Sequence, residues 1–248
     1  MSLAAKIMLS PVLVAQAVVT RARMPRLPEP EGQRHGVAGR GQALHLLITG
    51  DSSAAGVGVQ HQRDALAQRM AENLAAAAKV RVAWRLLARS GLTTAQTMVM
   101  LRDEGLAVHH RDTDVAVVVT GVNDVVDQLP SRRAVASREA LANWLRNGCG
   151  VQHVVFAPLP PVHHFPGLPQ PLRWVAGADA RRHNAALREW VSTRGDVSCV
   201  DMEMPLNRGV MASDGFHPGE PVYRYCAITI ATHIATRVCP MLERASRH

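Results

Sequence analysis

The chain has 248 residues, of which 47% are hydrophobic and 19% charged, so one full-sized core is expected and wholesale disorder is excluded. The formal net charge is +8, but the arginines are scattered and only 4% of the residues are aromatic. Nucleic-acid binding needs clustered cations and stacking side chains, so we interpret the charge as a solvated surface and expect no nucleic-acid partner.

The first 43 residues differ in composition from the rest. Residues 7–19 are mostly apolar and precede Arg21, Arg23 and Arg26, which predicts a helix within residues 1–26 that touches a membrane surface. A cleaved signal peptide is the alternative, disfavoured by Pro11 and by a single early positive charge, so a cytoplasmic or membrane-associated location is favoured over secretion. Residues 21–43 are rich in proline and glycine and predict an extended arm, with a catalytic domain over residues 44–248.

Strand and helix patterns alternate from Leu44 onward. Strands are predicted over residues 44–49, 80–86, 115–120, 151–157 and 197–200, and the second, with alternating apolar and polar residues, is expected at a sheet edge. Helices are predicted over residues 58–78, 94–104, 131–147, 178–193 and 222–234, with a loop over 158–177. The alternation favours an α/β fold, a three-layer α/β/α sandwich with a five-stranded parallel sheet. Ligands of such sheets bind at the carboxyl ends of the strands.

Ser52 comes directly after the first predicted strand, in the run Gly50-Asp51-Ser52 at the start of a helical segment. A serine on such a turn faces the cleft and is a candidate nucleophile. A phosphate-binding loop is the alternative, but no lysine follows the glycines of this run. The G-x-S-x-G elbow of the α/β-hydrolases is absent, which disfavours that fold.

Three more segments follow later strands or precede the last helix. Gly91 and Asn123 could each offer an N–H to an oxyanion, although a simple turn and an Asx turn or helix cap are the more common meanings. Asp214 stands three residues before His217, close enough to hold Nδ1 and leave Nε2 free to accept the proton of Ser52. A helix cap beside an unrelated histidine is the alternative for this pair.

Together the four segments resemble the SGNH/GDSL hydrolase family, over residues 44–237 and in the order of the family's blocks. The resemblance implies a flavodoxin-like fold, with Ser52 as nucleophile, His217 as general base and Asp214 as its orienting partner. It also implies an oxyanion hole made of the N–H groups of Ser52 and Gly91 and the side chain of Asn123, and it implies no cofactor. One residue departs from the family pattern, because Ser53 stands where a leucine is usual.

The function expected from this resemblance is that of a serine esterase acting on small carboxylic esters, with short acyl chains and an acyl-enzyme intermediate. A thioesterase, a lysophospholipase, a carbohydrate deacetylase and a non-catalytic binding protein remain alternatives. Further candidates for substrate binding are Asp51, Phe165, Trp174 and Phe216. The histidine pairs 109–110 and 163–164 lack the spacing of metal ligands, so no metal site is expected, and no oligomeric state is indicated.

Overall fold

The computed structural model describes residues 3–106, 113–204 and 206–245. Within these ranges the sheet has six strands, in the order β1-β3-β2-β4-β5-β6. They are β1 (His35–Ala38), β2 (Ala43–Gly50), β3 (Arg81–Ala88), β4 (Val115–Val119), β5 (His153–Phe156) and β6 (Val197–Cys199). Strands β2 to β6 are parallel, which confirms the five predicted parallel strands.

Helices cover both faces of this sheet. They are α1 (Leu3–Arg23), α2 (Ser52–Ala55), α3 (Leu66–Ala78), α4 (Thr94–Asp103), α5 (Val122–Val126), α6 (Ser131–Cys149), α7 (Leu172–Val191), α8 (Glu220–His233) and α9 (Cys239–Ala245). Short 3-10 turns lie at Gln62–Asp64 and Val162–His164, and a π-helical turn at Ile234–Val238 joins α8 to α9. None of the helices in the described ranges has the length and apolar character needed to cross a bilayer.

The core is divided between the two faces by the alternation of side chains along the strands. Ile48 of β2 packs with side chains of α3 and α8. The preceding residue, Leu47, points to the opposite face of the sheet and packs with side chains of α4, α6 and α7. Strand β4 contributes Val117 to the first cluster and Val118 to the second, and both are fully buried. An unbroken run of β-branched residues is typical of a strand covered on both faces. The predicted three-layer α/β/α sandwich is confirmed.

The prediction that the fold begins at Leu44 is wrong in one respect. Residues 35–38 of the expected arm form β1, which pairs antiparallel with β3, and the carbonyl of Arg34 accepts a bond from the N–H of Leu86 at 2.7 Å. Strand β3 is therefore internal, and β1 is the edge. Because β1 joins through backbone groups and its side chains are exposed or half-buried, it has no apolar pattern in the sequence.

Several predicted boundaries also shift. The helix expected from residue 58 begins at Leu66. The helix predicted over residues 131–147 does begin at Ser131 but continues to Cys149, with Gly150 as its left-handed cap at φ 75°. The loop predicted over 158–177 is shorter than expected, because α7 begins at Leu172.

Candidate active site

The strand register brings three of the four predicted segments to one edge of the sheet. Gly50, the last residue of β2, is paired with Ala88 of β3 and with Val119 of β4. Two hydrogen bonds continue the pairing past the strand ends, from Asp51 N–H to the Val119 carbonyl at 3.1 Å and from Arg89 N–H to the Gly50 carbonyl at 3.2 Å. The segments after β2, β3 and β4 therefore start side by side.

The turn that carries Ser52 depends on close backbone approach. Gly50 has φ +149°, and a Cβ added to it would lie 1.9 Å from the Val119 carbonyl oxygen, so no larger residue fits. Asp51 caps α2, with Oδ1 accepting the N–H of Ser53 at 3.0 Å. Ser52 is the first residue of α2, and its N–H has no acceptor within the helix. It is therefore free to donate to a substrate.

Ser52, His217 and Asp214 form one hydrogen-bonded chain. Nε2 of His217 lies 3.1 Å from Oγ of Ser52, and Nδ1 of the same ring lies 2.6 Å from Oδ2 of Asp214. The other carboxylate oxygen of Asp214 accepts the backbone N–H groups of Phe216 and His217, each at 2.9 Å. The geometry places a base beside a hydroxyl and a fixed carboxylate behind the base.

The segment that carries Asp214 and His217 is folded back on itself. Met211 and Pro218 form an antiparallel bridge, and the N–H of Ala212 bonds to the carbonyl of His217 at 2.9 Å. This closed loop fixes the imidazole relative to the strand ends. Such a loop has no apolar periodicity, so only the Asp-x-x-His spacing marks it in the sequence.

The Asp214 carboxylate is held in its ionised form. Burial alone would raise its pKa, but the hydrogen bonds from the His217 ring and from the backbone N–H groups of His217 and Phe216 lower the pKa below its usual value. An ionised Asp214 accepts Nδ1–H and leaves Nε2 as the acceptor.

Gly91 and Asn123 lie on adjoining segments that are bonded to each other. Nδ2 of Asn123 donates to the carbonyl of Leu92 at 2.9 Å, next to Gly91. An amide nitrogen carries two hydrogens, so the second can point elsewhere. Gly91 has φ +82°, a backbone conformation that favours glycine. A Cβ added there would meet no other atom, so the preference does not come from a steric contact.

The sequence reasoning assigned no role to Asp124, which lies beneath this pair. Asp124 is fully buried and accepts the backbone N–H of Thr94 at 3.0 Å and the hydroxyl of Thr94 at 2.6 Å. Arg138 of α6 reaches it from behind, with 3.9 Å between Nη2 and Oδ2. Burial lowers the pKa of Arg138, an effect that the Asp124 charge opposes. These contacts tie the Gly91 segment to the Asn123 segment. A buried arginine on a polar helix face gives no sequence signal.

Asp51 is a third buried carboxyl at the site, after Asp214 and Asp124. It is 2% exposed, and burial raises its pKa to about 7, against the opposing effects of the Ser53 N–H bond and the His217 charge. Burial therefore favours the neutral form of the carboxyl group directly before the serine.

A cleft of about 780 Å³, including its open mouth, has Ser52 and His217 in its wall. Most of the lining is apolar and comes from Leu159, Phe165, Met202, Met204, Leu206, Met211, Phe216, Val222 and Cys226. The rings of Phe165 and Phe216 meet edge to face, with centroids 5.2 Å apart. The cleft is suited to an aliphatic group rather than to a strongly hydrogen-bonding one.

Three of the four predicted substrate-binding residues, Asp51, Phe165 and Phe216, line this cleft. The prediction for Trp174 is not supported, because Trp174 is absent from the cleft wall, lies in the first turns of α7 and is 46% exposed. The reason is the early start of α7, which carries Trp174 on a helix instead of the expected loop.

Of the two histidine pairs considered as metal ligands, the structure describes only His163 and His164. The rings of His163 and His164 are 4.2 Å apart, whereas residues 109 and 110 lie outside the described residues. Within the described ranges no group of three or more histidine, cysteine, aspartate or glutamate side chains is arranged to hold a metal ion.

Comparison with known proteins gives a matching family model and several similar folds. Residues 48–225 match the sequence model of the GDSL-like Lipase/Acylhydrolase family. The lipase Lip_vut3 from a goat rumen metagenome superposes with a TM-score of 0.63 and 19% identity, over 78% of this chain and 97% of that one. The lipase/acylhydrolase from Enterococcus faecalis gives a TM-score of 0.57 and 20% identity, over 78% and 96%.

A third similar structure is Est24, a carbohydrate acetylesterase from Sinorhizobium meliloti, with a TM-score of 0.57 and 14% identity over 77% of this chain and 98% of that one. At these identities the likeness is one of fold. No curated protein matches the chain in sequence.

Proposed function

Because the chain belongs to the GDSL-like lipase/acylhydrolase family, we propose that it is a serine esterase that hydrolyses carboxylic esters of short acyl chains through an acyl-enzyme intermediate. One observation carries the proposal: Oγ of Ser52 lies 3.1 Å from Nε2 of His217, whose Nδ1 lies 2.6 Å from Asp214. A serine hydroxyl is a weak nucleophile until an adjacent base accepts its proton, and this contact supplies the base.

In the proposed acylation step, Oγ of Ser52 attacks the ester carbonyl carbon while its proton passes to Nε2 of His217. The carbonyl electrons move onto oxygen, where the N–H groups of Ser52 and Gly91 and the side chain of Asn123 stabilise the negative charge. The C–O bond to the alcohol then breaks, and His217 returns the proton to the departing oxygen. In deacylation a water molecule takes the place of Ser52, and the free acid is released.

The apolar cleft supports the choice of an acyl ester as substrate. Ser52 opens onto methionine, leucine and phenylalanine side chains, against which an alkyl chain gains free energy by leaving water. A thioester or a lysophospholipid would present the same acyl group. A carbohydrate deacetylase remains compatible with the fold, although few polar side chains line the cleft to bind sugar hydroxyls.

A fluorophosphonate probe tests the proposal, because it reacts with an activated serine and not with an ordinary one. We expect labelling of the native chain, loss of labelling in Ser52→Ala, and retained labelling in Ser53→Ala, which removes the neighbouring hydroxyl. A panel of p-nitrophenyl esters on the same proteins should show turnover that disappears with Ser52. An unlabelled native protein without esterase activity would instead support a binding protein that has kept only the fold.

A further inference from the structure

Helix α1 leaves a wide apolar face uncovered. Five of its large apolar side chains are between 46% and 83% exposed: Met8, Val12, Val14, Val18 and Val19. The opposite face of the helix is half-buried and carries residues at helical spacing: Leu9, Leu13, Gln16 and Thr20. A helix with one face against the protein and an apolar face in water is expected to have a further occupant.

The helix is fixed to the body of the protein by a specific contact. Nε2 of Gln16 donates to the carbonyl of Gln170 at 2.6 Å, and Oε1 of Gln16 accepts the N–H of Leu172 at 3.1 Å. These two bonds join the side chain of Gln16 in α1 to the backbone at the start of α7. The exposed valines therefore project from a docked helix.

The docking point lies at the end of a cleft-lining segment. Residues 157–171 connect β5 to α7, and Leu159 and Phe165 of this connection line the cleft. Trp174 lies in the first turns of α7, and its backbone N–H donates to Oε1 of Gln170 at 3.2 Å. An exposed tryptophan beside an exposed apolar helix is typical of the region where a protein meets lipid headgroups.

The charged residues of this N-terminal segment are all basic. The first 28 residues contain Lys6, Arg21, Arg23 and Arg26 and no acidic residue before Glu29. Arg23 and Arg26 are exposed at the carboxyl end of α1. A second copy of this helix would bring like charges together, whereas an anionic lipid surface offers both an apolar phase and the opposite charge.

We propose that α1 binds the surface of anionic lipid membranes, lying in the interface with Val14 and Val18 toward the acyl region and Arg23 and Arg26 at the headgroups. The helix does not cross the membrane. The contact places the cleft-lining connection next to the lipid. This surface is separate from the Ser52 site, so its test is independent of ester hydrolysis.

Co-sedimentation with vesicles tests the proposal on the full chain. The Ser52→Ala background is used throughout, so that hydrolysis of lipid does not change the vesicles. We expect the protein to pellet with vesicles of phosphatidylglycerol and phosphatidylcholine, much less with phosphatidylcholine alone, and less as salt is raised. The double variant Val14→Asp/Val18→Asp should weaken binding at least about tenfold, because two carboxylates would enter the apolar phase.

Matched controls keep the result specific. Val99→Asp/Val126→Asp changes the same residue types at exposed positions of α4 and α5, and it should bind vesicles like the parent. Arg23→Glu/Arg26→Glu should lose at least about tenfold in affinity for anionic vesicles, whereas Arg132→Glu/Arg133→Glu, with the same net charge, should not. Circular dichroism spectra and melting curves check that each variant is folded.

Three results would overturn the proposal. The first is a parent protein that stays in the supernatant with anionic vesicles at low salt, and the second is α1 variants that pellet as well as the parent. The third is a dimer, seen by light scattering, that Val14→Asp/Val18→Asp converts to a monomer while neither form binds vesicles. That third outcome would assign the apolar face to another copy of the chain.

Discussion

Oδ2 of Asp214 lies 2.6 Å from Nδ1 of His217, while Oδ1 of the same carboxylate accepts two backbone N–H groups of its own loop. The carboxylate is thus fixed before it meets the ring, and the ring is fixed by it. The orientation leaves Nε2 facing Ser52 as a proton acceptor. Three residues within one short loop determine the tautomer of the base.

Asp214→Asn is expected to lower kcat by on the order of 10⁴-fold with the fold intact. An asparagine keeps an oxygen for the two backbone bonds but can present an N–H₂ group to the ring, which puts the proton on Nε2. Ester hydrolysis by the purified variant measures the loss. Asp103→Asn, at an exposed position of α4, is the matched control and should be fully active. A near-normal kcat in Asp214→Asn would exclude the assigned role of the carboxylate.

Asn123→Ala is expected to lower kcat by roughly 100- to 1000-fold with a smaller change in KM, because an oxyanion donor acts mainly in the transition state. The side chain also donates a hydrogen bond to the carbonyl of Leu92, so the variant loses a tie to the Gly91 segment as well. Asn123→Asp keeps the volume of the side chain but has no N–H to donate, either to an oxyanion or to the carbonyl of Leu92. Both variants should be impaired, and Asn147→Ala, at an exposed position of α6, should not be. If Asn123→Asp turns over like the parent, a donor at this position is not needed.

The parts of the fold that could be predicted are those with a repeated apolar pattern. Strand β4 is a run of valines and alanine and was placed within one residue, and the four chemical segments were found because each follows a strand or precedes a helix. The convergence of Ser52 with His217, which lie 165 residues apart in the chain, follows from the rule that ligands bind at the carboxyl edge of a parallel sheet.

The parts that could not be predicted depend on contacts without a local pattern. Strand β1 is held by backbone bonds to β3, and its sequence, His-Gly-Val-Ala, has no strand signal. The link from Asp124 to Thr94 joins residues 30 apart, and the nearby Arg138 is buried on a helix whose other arginines are exposed or half-buried. Only the three-dimensional packing shows that these polar groups meet.

Asp124→Ala is expected to destabilise the protein by roughly 3–5 kcal/mol, since it leaves the buried Arg138 guanidinium without its nearby carboxylate. The backbone N–H of Thr94 would lose its acceptor at the same time, and the Thr94 hydroxyl would keep only its bond to Thr120. Urea unfolding at neutral pH measures the change in the free energy of unfolding. Asp127→Ala removes an exposed carboxylate one turn away and should change stability by less than about 0.5 kcal/mol. Equal stability of the two variants would contradict the importance of this buried pair.

The raised pKa of the buried Asp51 carboxyl is expected to lower the free energy of unfolding as the pH rises from acid to neutral. Its pKa rises from the usual 3.8 to about 7 in the folded chain, so between these values the folded state holds a proton that the unfolded state has released. The stabilising effect of this proton is fully present below about pH 4 and is lost as the pH rises to about 7, a change of roughly 4 kcal/mol in the free energy of unfolding. Asp51→Asn keeps a cap acceptor for Ser53 and cannot ionise. Buried histidines such as His153, whose pKa is lowered by burial, act in the opposite direction in both proteins, so the test is the difference between them. Between pH 4.5 and pH 8, urea unfolding should show the free energy of unfolding of the parent falling relative to that of Asp51→Asn, and parallel curves would disprove the assignment.

The cleft predicts how activity depends on acyl length. Each methylene that leaves water for the apolar wall contributes about 0.8 kcal/mol, so kcat/KM on p-nitrophenyl esters should rise by about fourfold per methylene from acetate until the cleft is filled.

Met204 lines the cleft and is half-buried, so a larger side chain is tolerated there while it shortens the available space. In Met204→Trp the activity on acetate should stay within about twofold of the parent. The activity on the longest ester that the parent prefers should fall by about sixteenfold, the worth of two methylenes. Met241→Trp places the same ring at a position of α9 that is 42% exposed and should leave the profile unchanged. A chain-length profile that Met204→Trp does not alter would mean that the acyl group binds outside this cleft.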